Sequence, residues 1–247
     1  MSDFAKIRKA AIDDTLKKLQ LPVRPDENII VAIKSIQDID DAANILSRRL
    51  RRWYELYAPE VSFAIEDHYK FASTILVKDK KELLKETRSS FDTGGTLETS
   101  DLDTIRTLAS QIVGLYKEKE RLTLYIESLM EKHTPNLLAL TTPLIGGKML
   151  AKAGSLRKMA LLASSAIQLL GAEDALFRHL KTKGKPPKYG VLFAHPIVNK
   201  LQAAKKGKAA RQIANKITIA VKADFYESSR DVGRELLKKL EATYGKN

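Results

Sequence analysis

Apolar residues recur along two separate stretches of this chain at spacings of three and four, which predicts two long helices. In the first stretch Ala32, Ile36, Ile39, Ala43, Leu46, Leu50, Trp53 and Tyr57 keep strict four-three alternation. A helix from Asp26 to Tyr57 is expected, opened after Leu21-Pro22-Val23-Arg24-Pro25 and closed at Pro59, because proline lacks a donor and biases its predecessor away from helix. In the second stretch Ile105, Leu108, Ile112, Leu115, Leu122, Ile126 and Leu129 hold heptad register, and Lys119 is the polar intruder. Ser100 with Asp103 three residues on resembles a capping box, so this helix is expected to start there and to run to about Lys132. Between the two lie a helical stretch from Val61 to Thr87 and a loop from Ser89 to Gly95. Spacing of 3.5 residues sustained on two segments favours a long antiparallel coiled-coil arm over the alternative of an ordinary helical core. An isolated Lys at a seam position either fixes pairing or snorkels to water.

The pattern shortens on both flanks. Residues 1–20 form a short amphipathic helix with Phe4, Ile7, Ala11 and Leu16 as its apolar positions. After Thr134-Pro135-Asn136 the apolar groups indicate short helices at Asn136–Leu140, Gly146–Ala153, Ser155–Leu161, Ser164–Leu169 and Ala172–Leu180. A loop from Lys181 to Tyr189 and an apolar run, Gly190 to Ala194, precede longer helices at Ala204–Lys222 and Asp231–Tyr244. The fold class is all-α. Its expected divisions are 1–26 (short helix and linker), 27–134 (coiled-coil arm) and 135–247 (compact basic module).

Charge changes the picture most. Residues 135–247 hold 21 Lys plus Arg against 7 Asp plus Glu, whereas residues 1–134 hold 22 against 23, so the net +13 resides in the carboxy-terminal module. Solubility does not require such segregation, and a nucleic-acid partner accounts for it. There is no cysteine, which excludes disulfides, Cys-based zinc sites and thiol chemistry and favours a reducing interior. No signal-peptide pattern and no run of 18 apolar residues is present, so a soluble cytoplasmic protein without a membrane role is expected.

Catalytic patterns are missing. Gly146-Gly147-Lys148-Met149 resembles a phosphate-binding loop only in passing: position 142 is Thr where glycine is required, and Met149 offers no hydroxyl to magnesium. His68, His133, His179 and His195 share no metal-ligand spacing, and there is no nucleophile elbow. The chain is expected to be no enzyme and to need no cofactor. A nucleic-acid-modifying activity would require acidic residues to converge in space.

The binding candidates lie in the basic module. Lys181-Thr182-Lys183-Gly184-Lys185-Pro186-Pro187-Lys188-Tyr189 combines four lysines with two prolines, and the prolines reduce the entropy lost when lysines meet phosphates. On the next long helix Lys208, Arg211, Asn215, Thr218 and Lys222 share one stripe, opposite Ala210, Ile213, Ile217 and Ala220. Lys183, Lys185, Lys188, Lys208, Arg211 and Lys216 are the candidate phosphate contacts. His195 either stacks on a base or packs in a loop beside Pro196, and Tyr189 is either a base platform or a core anchor.

Several segments in this order are similar to the Nop domain: Asn136-Leu137, Pro143-Leu144-Ile145-Gly146, Gly171 to Leu180, Pro186-Pro187-Lys188-Tyr189-Gly190, and Gly207-Lys208-Ala209-Ala210-Arg211. The arm resembles the same family at Leu50-Arg51-Arg52-Trp53-Tyr54 and Pro59-Glu60. The resemblance is to archaeal-type scaffolds of box C/D ribonucleoproteins, with splicing-type Nop proteins as cousins. It implies a scaffold that binds kink-turn guide RNA jointly with a small ribosomal-type kink-turn-binding protein. It further implies self-association through the coiled coil, as a homodimer or with a paralogue, for which Ile36, Leu46, Leu50, Ile112, Leu115 and Leu122 are the candidates. In such particles, which serve rRNA processing, a fibrillarin-like methyltransferase using S-adenosylmethionine performs 2′-O-methylation. The family's globular amino-terminal domain, which docks that enzyme, has no counterpart in the short segment before the arm, so direct docking of a fibrillarin-like methyltransferase stays an open alternative. The motif residues are Gly171, Ala172, Glu173, Asp174, Arg178 and His179. Asp174 stands where the family carries Lys and cannot donate to phosphate, which leaves the backbone amides of 171–173 or neighbouring lysines for any RNA contact of this turn. A coiled-coil adaptor whose basic end meets an acidic protein is the competing interpretation.

Overall fold

The computed structural model describes residues 3–20, 23–87, 91–182, 184–228 and 231–244, and every regular element among them is helical. The sequence-based features at Leu21, Pro22, Ser89, Ser90 and Lys183 lie outside the described residues. Helix α1 (Asp3–Leu19) is solvent-exposed wherever its side chains are described. The arm consists of α2 (Pro25–Tyr54) and α6 (Thr99–His133), packed antiparallel along their length. Three short helices close its distal end: α3 (Pro59–Ala64), α4 (His68–Val77) and α5 (Lys80–Glu86).

Pro25 at the first helical position, with Asp26 and Glu27 in the first turn and Arg51 and Arg52 in the last, suits both ends of the α2 dipole. The seam differs in part from the expected one. Ile36, Ala43 and Leu50 are buried as the heptads require, but the second line runs through Ile33, Ser47 and Tyr54, while Trp53 is exposed. On α6, likewise, Ile105, Ile112 and Ile126 are buried with Ala109 and Met130 rather than with Leu108 and Leu129. Lys119 Nζ meets Asp40 Oδ1 across the seam at 2.6 Å, so the expected intruder is one half of a polar pair. The α6 start is also corrected: the helix begins at Thr99 behind Glu98, with no side-chain cap.

The stretch expected as one helix over 61–87 is broken into three, organised around Arg51. Its guanidinium donates to His68 Nδ1 at 2.9 Å and to the Ser62 and Glu66 carbonyls at 2.7 and 2.8 Å, and it lies 4.4 Å from the Phe71 ring centroid. Acceptors on three sides tie the ends of α3 and α4 to the end of α2.

The basic module comprises α7 (Pro135–Leu140), α8 (Pro143–Ala153), α9 (Leu156–Leu161), α10 (Ser164–Leu169), α11 (Glu173–Thr182), a 3₁₀ turn (Val191–Ala194), α12 (Pro196–Lys200), α13 (Ala203–Phe225) and α14 (Val232–Tyr244). Ile29, Ile33 and Ile36 of α2 and Ile126 and Met130 of α6 join Leu137, Met149, Ile213 and Ile217 in one core, so the arm's base and the module pack together. Gly146 and Gly147 permit this approach: a Cβ on Gly147 would lie 3.1 Å from Ile33 Cδ1, and one on Gly146 2.5 Å from Met130 Cε. Their pairing thus serves helix packing. Asp26 adds a polar tie, its Oδ2 accepting from the Leu156 amide at 2.8 Å.

Asn136 and Asp224 form a buried hub. Asp224 accepts from the Asn136 amide (3.0 Å), Asn136 Nδ2 (2.9 Å) and the Leu137 amide (2.8 Å), while Asn136 Oδ1 accepts from the Gly233 amide (2.8 Å). Burial pushes the Asp224 carboxyl upward, against the lowering effect of its three donors. The hub caps α7 and fixes the angles at which α13 and α14 leave it.

Candidate nucleic-acid interface

Helix α13 buries Ala209, Ala210, Ile213, Ala214, Ile217, Ala220 and Val221. That buried stripe turns Lys208, Arg211, Asn215 and Lys222 outward, as the periodicity requires. The lysine–proline loop is fastened beside them. Gln168 Nε2 donates to the Lys188 carbonyl at 2.6 Å, the Gly190 amide donates to the Gln168 carbonyl at 3.1 Å, and the Val191 amide donates to the Leu170 carbonyl at 2.7 Å. Only glycine fits at 190, because a Cβ would stand 1.9 Å from the Leu170 carbonyl oxygen.

Loop and helix enclose a groove of ≈ 560 Å³ walled by α10, Pro186, Pro187, Lys188, Gly207, Lys208 and Arg211. None of its lining residues is acidic. Three of the candidate cations, Lys188, Lys208 and Arg211, therefore meet in one place, with Lys185 exposed on the adjoining loop. Lys183 lies outside the described residues. Lys216 is set apart: half-buried, it lies about 80° around the helix from Lys208 and does not line the groove.

His195 is not a base-stacking residue. It is 3 % exposed, its Nε2 lies 2.8 Å from the Leu140 carbonyl, and its Nδ1 accepts from the Ile197 amide at 3.2 Å, capping α12. These partners require a neutral ring protonated on Nε2, and burial lowers its pKa below the ordinary histidine value despite the Leu140 carbonyl.

The motif turn is also committed internally. Gly171 adopts φ +84, and a Cβ there would come within 2.7 Å of Val191 Cγ2. Its amide donates to Glu173 Oε1 at 2.6 Å, and the Ala172 amide donates to the Leu169 carbonyl at 2.9 Å. The amides expected to meet RNA are thus already engaged. Burial works to raise the Glu173 pKa, but the Gly171 and Glu173 amides and Lys152, 3.6 Å away, hold the carboxyl below its usual range. His179 Nδ1 is hydrogen-bonded to the Gly184 carbonyl and tethers α11 to the loop. Asp174 and Arg178 are exposed. Helix α11 contains no buried residue and displays Phe177 and Leu180 to solvent at 63 % and 67 % exposure.

Ile36, Leu50 and Ile112 of the expected self-association set are fully buried within the chain's own helix pair, and Leu46, Leu115 and Leu122 are partly buried. They hold α2 to α6. Large exposed apolar side chains occur along the arm at Val31, Ile45 and Leu124, and at its distal end Leu56, Phe63, Val77 and Phe91 are each at least 64 % exposed.

Among the described residues no group of three His, Asp or Glu side chains could hold a metal ion, and no helix is long and apolar enough to cross a membrane. Sequence reasoning missed two features of this face: the 3₁₀ turn, which reads as a plain apolar run, and Gln168, an ordinary polar residue that locks the loop.

The family model described as "Nop: snoRNA binding domain, fibrillarin" matches residues 35–246. An uncharacterized NOP5 family protein of Methanocaldococcus jannaschii is 35 % identical over 231 residues, covering 87 % of this chain and 55 % of the relative. Nucleolar protein 58 of Lodderomyces elongisporus is 36 % identical over 222 residues, covering 83 % and 43 % respectively. The chain thus spans about half the length of these relatives. A crystal structure of a fibrillarin/Nop5p complex contains a similar fold, with TM-score 0.56 and 22 % identity over 97 % of this chain and 78 % of that one.

Proposed function

The chain belongs to the Nop family, and from that premise we propose that it is a non-catalytic scaffold of a box C/D-type RNA 2′-O-methylation ribonucleoprotein. The observation that carries this reading is the groove in which Lys188, Lys208 and Arg211 converge without a carboxylate. A groove of that kind suits a backbone already shaped by another molecule, because lysines and arginines on a fixed frame position phosphates without reading bases. The exposed Phe177 and Leu180 of α11 supply an apolar surface for the small kink-turn-binding protein beside that RNA. The scaffold's own self-association, with a second copy or a paralogue, falls to the arm's distal end, where Leu56, Phe63, Val77 and Phe91 are exposed. A fibrillarin-like methyltransferase belongs to the same assembly on this reading, and the chemistry is its own.

Titration of the chain with a kink-turn RNA, with and without the small RNA-binding partner, tests the reading. Binding that is strong only when both are present supports it. Equal affinity for an acidic peptide and for the RNA would instead favour the protein-adaptor alternative.

A further inference from the structure

We propose that Phe193 is a stacking platform for an unpaired nucleobase, at the mouth of a second groove that holds the rest of that nucleotide. The inference rests on the RNA-binding role proposed above and gives it a second, chemically different contact. Phe193 lies in the 3₁₀ turn with 47 % of its surface exposed, a large open area for a phenyl ring on a folded domain. It is held flat from one side, since the Tyr189 ring stacks on it at 5.1 Å between centroids and 17° between planes. Lys206 Nζ, on a half-buried residue, sits 4.8 Å from the Phe193 centroid, a weak cation–π contact that an incoming ring can replace. An entering base takes over the ring, and the displaced ammonium remains beside the sugar–phosphate.

The adjacent groove measures ≈ 700 Å³, within the size range of small-molecule sites. Leu144, Ile145, Val191 and Phe193 give it an apolar wall, and Lys34, Lys148 and Lys152 line its basic side. Glu173, paired with Lys152, is one carboxylate against three lysines, so the rim keeps a cationic excess. An apolar, ring-bearing wall beside ammonium groups matches a nucleotide, which is a flat apolar face joined to an anion.

The two grooves are linked through chain neighbours. Lys188 and Gly207 line the phosphate groove, their chain neighbours Tyr189 and Lys206 both touch Phe193, and Phe193 lines the second groove. A strand following the lysine groove is therefore delivered to the ring. That link favours RNA over an acidic protein segment, which would have no use for a prestacked aromatic face.

The test uses the chain assembled with a kink-turn RNA and the small RNA-binding partner, with 2-aminopurine placed in turn at each unpaired position. At one position the wild-type chain should quench the probe. Phe193→Trp should retain the quench, whereas Phe193→Ala should abolish it and weaken assembly about ten-fold or more. Phe193→Leu, which keeps apolar bulk without a π face, should lose the quench as well. The slope of affinity against salt should be unchanged in all three variants, since no phosphate contact is removed. Circular dichroism should show all of them folded. Wild-type affinity and quench in Phe193→Ala, together with a salt slope that still depends on Lys208 and Arg211, would overturn the platform alone. Absence of RNA binding by the wild-type chain would overturn the platform and the scaffold reading together.

Discussion

Replacing Lys208 and Arg211 by Gln removes two of four cations presented along one face, the others being Lys188 in the groove and Lys185 on its flanking loop. Each phosphate neutralised in a duplex releases condensed counterions and adds about −0.9 to the slope of log K against log salt. Four contacts give a slope of about −3.6, and two give about −1.8. Raising salt from about 0.1 to 0.4 M should then weaken the wild-type complex on the order of a hundred-fold, and the double variant only on the order of ten-fold. Both positions are exposed and project from a helix whose opposite stripe is fully buried, so folding should be unaffected. Fluorescence anisotropy of a labelled kink-turn RNA across a salt series, with the partner protein saturating, reads both slopes. Equal slopes in the two proteins would refute the phosphate assignment even if their absolute affinities differed. Lys216→Gln serves as an internal control: lying outside the groove, it should leave the slope unchanged.

Three further outcomes are expected. Asp224→Ala deprives three donors of their acceptor, a loss of about 3 kcal/mol once water from the neighbouring hollow offsets part of it; thermal melting should fall by about 6–12 °C, and a drop below about 2 °C would show that the hub carries little. Burial depresses the pKa of both His68 and His195, so their stabilisation is complete above the unfolded value of about 6.5 and is lost as pH falls through it; melts between pH 7.5 and 5 should show this decline, and a smaller one in His195→Gln. Leu56→Glu with Phe63→Glu at the arm's end should shift light-scattering mass from dimer to monomer at an unchanged helical signal, and an unchanged mass would remove the distal end as the pairing surface.

Long elements were the legible part of the chain. Helices α2, α6, α13 and α14 follow from periodicity because each turns an apolar stripe inward, although α6 buries no residue fully between Ile112 and Ile126. The boundaries of α10 and α14 are recovered nearly to the residue. The distal cap was not legible. Apolar spacing over 61–87 cannot reveal that Arg51, on the preceding helix, supplies donors to two carbonyls and a histidine and so stabilises chain breaks there. Spacing rejects a phosphate-binding loop at Gly146 and Gly147, but it cannot show that the two glycines make room for Met130 and Ile33. Within the interface, the basic stripe of α13 was legible from its wheel, whereas the role of His195 was not. A histidine before proline looks the same in sequence whether it faces solvent or caps the following helix, and only the Leu140 carbonyl decides between them.

The seam of the arm shows why part of its register escaped a count of apolar residues. Two lines were expected, and on each helix one of them is buried where the spacing put it. The other runs one residue further along, through Asp40, Ser47 and Tyr54 on α2 and through Ala109, Tyr116, Thr123 and Met130 on α6. A hydrophobicity criterion passes over that line because it contains Asp40, Ser47 and Thr123, yet two of the three find partners. Asp40 meets Lys119, and Thr123 returns its hydroxyl to the Lys119 carbonyl at 2.8 Å. Burial of a polar group costs little when a partner stands opposite, and that partner lies 79 residues away in sequence. Ser47, fully buried and without a hydrogen-bond partner, marks the one point where this compensation is incomplete among the described residues of the seam. Sliding α2 against α6 by one turn would part Asp40 from Lys119, so the pair favours the observed register.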